Sequence, residues 1–120
     1  MGWDIDALVD GREHVDADRH PDLAAAFQRA EDEACGLAGS ADHWLHRGGL
    51  DCSSCRYFLE QAFGCEMPSG HWSPEEVRSR AAAARWSPPE AVPEDLRWAY
   101  WSARKFVEVC AAHNLAVMFG

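Results

Sequence analysis

"HWLHRGGLDCSSC", residues 43–55, places two histidines and two cysteines on either side of a Gly-Gly pair. Whether the residues before Gly48-Gly49 are helical decides both the fold and the chemistry. Upstream, apolar residues fall at Leu23, Phe27, Ala30, Ala34, Leu37, Ala41 and Trp44, in steps that alternate between four and three. That 3.5-residue period belongs to an amphipathic helix in a bundle. Pro21 suits the first turn. Gly36, Gly39 and Ser40 lower helix propensity midway without shifting the phase. One helix is therefore expected over 21–46, ended by the glycine pair.

Downstream, Asp51 or Ser53 caps a shorter helix whose buried face is Cys55, Phe58, Leu59, Ala62 and Phe63, with Gly64 at its C-terminal cap. In "SPEE" (73–76), Ser73 is an N-cap, Pro74 takes the first helical position and Glu76 completes a capping box. That helix is expected to reach Trp86, where "SPPEAVP" breaks the chain. A last helix begins near Pro93, with Leu96, Ala99, Ala103, Phe106 and Cys110 in one stripe, widened by Val107. Trp98 and Trp101 lie on a neighbouring face, and "LAVMFG" either extends the helix or makes a short strand. No alternation looks long enough to build a sheet. The expected fold is all-α: a compact four-helix domain with helices near 21–46, 53–63, 74–86 and 93–114. At 120 residues this is one domain, 1–120, with 1–20 an acidic N-terminal segment that carries a short helix at 4–10.

If the first two helices form a hairpin, His43 and His46 share a helix face and the Cys52–Cys55 pair opens towards the same end. Four such side chains match a closed tetrahedral zinc site, so His43, His46, Cys52 and Cys55 are the candidate metal ligands and zinc the candidate cofactor. The alternative set Cys52, Cys55, Cys65 and His71 requires the second helix to be broken. Cys35 and Cys65 fall at another level of the hairpin, as a separate pair. Cys110 completes a core stripe, and His113 suits a helix C-terminus. Zinc has two rivals in this stretch. One is a redox dithiol with Cys52 as nucleophile and Cys55 as resolving thiol, although the thioredoxin motif follows an apolar strand and here "HRGGLD" comes first. The second is a set of polar residues at helix ends, with no metal bound.

Charge narrows the partners. The net charge is −9, and residues 1–33 supply −7 of it, ten acids against Arg12, Arg19 and Arg29. Such a field repels phosphate backbones, which disfavours nucleic acid; it fits either a plain solvated acidic face, the commoner case, or contact with a protein partner of basic character. "MGWDIDALVD" has neither a basic region nor an apolar run, and no stretch approaches the ~20 apolar residues of a membrane span. With five cysteines and no signal sequence, a cytoplasmic protein is expected. Two function classes follow: a zinc-stabilised helical protein-interaction or regulatory module, possible also as a homodimer, and a small thiol–disulfide enzyme using Cys52 and Cys55. The first, which is not an enzyme, is the preferred expectation.

Overall fold

In "DIDALV" (4–9), Ile5, Ala7 and Val9 alternate with Asp4, Asp6 and Leu8, and the segment is a strand, β1 (Asp4–Val9). A computed structural model describes residues 4–39, 45–46, 49–51, 53–64 and 70–119. Ile5 and Ala7 are buried in the core. Asp10 and Gly11 follow with φ of 53° and 72°, and the Arg12 N–H donates to the Val9 carbonyl at 3.1 Å. Positive φ at both central residues is the hairpin geometry for which Asp-Gly is a preferred pair. The turn folds β2 (Glu13–His14) back against Leu8 and Val9.

Helix α1 (Pro21–Ala38) begins at Pro21 as expected but stops eight residues short of the expected end at 46. Gly39, at φ 68°, takes the left-handed cap and donates its N–H to the Cys35 carbonyl at 3.0 Å. The next described residues form β3 (Leu45–His46), antiparallel to β4 (Gly49–Asp51) with Leu45 opposite Leu50 and His46 opposite Gly49. Gly49 thus opens a strand paired with β3, where a helix end was expected.

Helix α2 (Ser53–Phe63) and α3 (Pro74–Ala83) flank β5 (Gly70–Trp72). In α2 the residues Cys55, Phe58, Leu59 and Ala62 are buried, as their spacing predicts, and Gly64 ends the helix at φ 71°. In α3 the Ser73 hydroxyl accepts the Glu76 N–H at 3.2 Å. Two 3-10 turns, Pro89–Ala91 and Glu94–Leu96, lead into α4 (Arg97–Ala112), whose buried stripe contains Ala99, Ala103, Phe106, Val107 and Cys110. Asn114, at φ 56°, follows the end of α4, and β6 (Ala116–Phe119) returns along β1.

The sheet order is β3-β4-β1-β6-β5, every pair antiparallel, with β2 also alongside β1. The protein is therefore mixed α/β, which corrects the all-α four-helix expectation. The acidic N-terminal segment is no appendage, because β1 lies between β4 and β6. Helix α4 packs against α1, α2 and α3. Its Phe106, Val107 and Cys110 line, with Ile5, Val117 and Phe119 of the sheet, an apolar void of about 10 Å³. Edge-on aromatic contacts run through this core from Phe119 to Trp72 (4.8 Å), Phe63 (5.2 Å), Trp86 (6.5 Å) and Tyr100 (5.9 Å). Among the described residues no helix is long and apolar enough to cross a membrane.

Candidate functional site

The expected metal ligands depended on a helical hairpin, and that geometry is absent. Leu45 and His46 are strand residues, whereas the same-face relation of His43 and His46 required a helix through both. His43 and Cys52 lie outside the described residues, and for His46 only the backbone is described. Cys55, third residue of α2, is 0% exposed and belongs to the core cluster with Phe58 and Leu59. Among the described residues no group of three or more His, Cys, Asp or Glu side chains is placed to hold a metal ion. The description of the chain as a helical bundle is corrected, and the metal-binding group expected with it is not found among the described residues, which leave out three of the four expected ligand side chains. The alternative ligand set needed α2 broken, and α2 runs unbroken from Ser53 to Phe63.

The remaining cysteines separate by burial. Cys35 is half-buried on α1, and Cys65, its expected partner, lies outside the described residues. Cys110 is buried in the core, and desolvation pushes its thiol well above the ordinary value of 9.0. His113 is exposed at the C-terminal cap of α4, the position expected for it. Neither is placed to do chemistry together with the other.

The charge asymmetry does acquire a shape. From Asp10 to Glu33, eight carboxylates stand against Arg12, Arg19 and Arg29. Asp10, Asp16, Asp18, Asp22, Asp32 and Glu33 are all exposed. The turn before α1 is ordered by its own polar groups. Asp16 accepts the N–H groups of Asp18 (2.7 Å) and Arg19 (3.2 Å), which hold its carboxyl below the usual 3.8. Glu13 bonds Arg19 at 2.9 Å and lies 3.4 Å from His20 Nε2. Arg19 is thus already committed inside the chain, and the excess of negative charge on this side is left to solvent or a partner.

A second feature is concave. Between α3 and α4 a groove of about 560 Å³ is lined by Ala81, Ala82, Val107 and Ala111, with Arg78 from α3 and Arg104 and Glu108 from α4. The Arg104 guanidinium lies 5.3 Å from the Trp101 ring and 5.9 Å from the rings of Trp86 and Tyr100. It also donates to the Tyr100 hydroxyl at 2.7 Å, which in turn donates to the Ser87 carbonyl at 2.6 Å. Arg78 bonds the amide oxygen of Asn114. The sequence carried a sign of this groove in its alanine-rich runs at 81–84 and 111–112. Nothing in the sequence alone set those two runs side by side. No family model, no curated protein and no solved structure matches the chain.

Proposed function

We propose that the chain is a protein-interaction module that presents the acidic surface of the β1–β2 turn and α1 to a basic partner. The observation that carries this is the exposed surplus of carboxylates between Asp10 and Glu33, where Arg19 is paired internally with Glu13. Elsewhere Arg56 is paired with Glu60 at 2.8 Å, Arg80 with Glu76 at 3.3 Å and Lys105 with Glu108 at 3.3 Å. Of the surplus, Glu33 is drawn to one of these cations, Lys105, at 2.9 Å. A one-signed surface of this kind accelerates encounter with a cationic partner and selects its orientation.

The test uses a fluorescent oligo-lysine peptide and anisotropy, at about 0.01 M and about 0.15 M salt, where the screening length shrinks from ~30 Å to ~8 Å. The triple variant Asp18→Asn, Asp22→Asn, Asp32→Asn is compared with Glu75→Gln, Glu90→Gln, Glu94→Gln, which removes the same charge elsewhere. Binding should weaken with salt and weaken much more in the first variant. Equal weakening in both would show that only net charge matters and overturn the assignment of this surface.

A further inference from the structure

We propose that the groove between α3 and α4 receives the C-terminal end of α1 from a second copy of the chain, with Leu37 as the inserted side chain. The groove supplies an apolar lining of Ala81, Ala82, Val107 and Ala111. Among the described residues its positive charge is incompletely matched. Arg78 has Asn114, a neutral group, as its partner, and no carboxylate of the described residues is ion-paired with it. Arg104 lies 4.0 Å from Glu108, which is itself closer to Lys105 at 3.3 Å. With two arginines and one glutamate in its lining the groove is net positive, and on a chain of net charge −9 it finds its complement on the chain's own acidic helix.

The end of α1 has the matching shape. Leu37 is 50% exposed, and only Leu37 and Tyr57 are large apolar side chains exposed among the described residues. Beside it, Gly36 faces open space, with nothing within 4 Å of where a Cβ would stand. A glycine next to a protruding leucine lets the helix backbone approach a groove closely. Asp32 and Glu33 are exposed on the preceding turn; Glu33 is already bonded to Lys105 at 2.9 Å, so Asp32, whose hydrogen bond is to the neutral Gln28 amide, is the carboxylate offered to an arginine of the groove. One copy offers the knob and another the groove. The same α1 surface is used in the proposed recognition of a basic partner, but self-association is read with no polycation present, so the two can fail independently.

Sedimentation of the full chain over a range of concentrations tests this. The mass should rise above 13.4 kDa with concentration, and less so at high salt. Leu37→Lys sets a cation against the arginines, and Ala82→Trp fills the groove. Both sites are exposed, so both variants should keep the wild-type circular dichroism spectrum. Each should weaken association by about tenfold or more. Mixing the two variants should restore association, because one copy keeps its groove and the other its α1 end. A wild type that stays at 13.4 kDa throughout, or variants that associate normally, or a mixture that fails to recover while the wild type associates, each overturns the proposal.

Discussion

Ser102 sits in α4 among buried residues, is itself 0% exposed, and its hydroxyl has no hydrogen-bond partner among the described residues. Most core substitutions destabilise a protein, but Ser102→Ala is expected to stabilise this one. A buried hydroxyl without a partner costs about 1–3 kcal/mol in lost hydration. Alanine removes that cost and also gains about 0.5 kcal/mol of helix propensity. Against this stand the few dispersion contacts of one oxygen atom, each worth about 0.1–0.2 kcal/mol. The balance is about 1–3 kcal/mol in favour of the variant. With a urea dependence of about 1–3 kcal/mol per molar for a small domain, the unfolding midpoint should rise by about 1 M with an unchanged slope. A lower midpoint for Ser102→Ala would show that the hydroxyl is satisfied in solution, and would refute the assignment of an orphaned group. Ser102→Thr, which keeps the hydroxyl and adds a methyl, should not reproduce the gain.

Single positions elsewhere carry further expectations. Gly11→Ala should cost about 1 kcal/mol or more, because φ of 72° is unfavourable for any side chain and the β1–β2 turn depends on it; thermal unfolding reads the loss. Gly49→Ala should also lower the melting temperature, since a Cβ there would stand 2.9 Å from Asp6 Oδ1 and force that carboxylate to move. Cys110 gives a pH dependence. Its folded-state pKa is raised by burial above 9.0, so its contribution is intact below pH 9.0 and declines as pH rises beyond that, once the unfolded thiol ionises. Urea titrations at rising pH should therefore show a shallower alkaline decline in Cys110→Ala than in wild type. Lys105 acts in the same direction at higher pH. Its pKa is raised by the hydrogen bond to Glu33, so its contribution holds below 10.5 and is lost as pH climbs through the raised value, a loss absent in Lys105→Met.

Three helices were legible because their signals are local. Ser73-Pro74 opens α3, Gly64 closes α2, and the stripe of Ala99, Ala103, Phe106 and Cys110 is buried in α4 as spaced. The error at the end of α3 has a tertiary cause. Ala84 turns to an extended conformation and the Arg85 N–H donates to the Ala62 carbonyl of α2 at 2.8 Å, so the alanine run stops being helical at Ala83. The sheet was harder to see. Four of its six strands are two or three residues long, too short for alternation to register. In β6 the neighbours Ala116 and Val117 are both buried, which erases alternation there. Two signals were nevertheless present: the alternation of Ile5, Ala7 and Val9, and the Asp10-Gly11 hairpin pair that follows it. An acidic strand at the chain start was taken for a short helix because its hydrophobic partners, Val117 and Phe119, lie more than a hundred residues away.

The candidate site shows how far a wrong element class propagates. Counting ligands across a hairpin used a helical rise of ~1.5 Å per residue and the helical rule that residues three apart share a face. In a strand the rise is ~3.3 Å and residues three apart point to opposite faces. Once Leu45 and His46 are strand residues, neither half of that count survives. Inferences that did not use element class fared differently: the acidic surplus of residues 10–33 needs only composition, and six of its eight carboxylates are exposed. Leu37 lies between the two cases. A 3.5-residue stripe keeps facing one partner only on a supercoiled helix, and a straight helix drifts ~20° per heptad. Leu37 is two heptads beyond Leu23, so it has turned ~40° relative to it. Leu23 remains packed against the core whereas Leu37 is 50% exposed. The same spacing that suggested a longer buried helix thus delivers an exposed leucine at its end, and an exposed leucine beside a glycine on an acidic helix is a contact surface in want of a cationic groove.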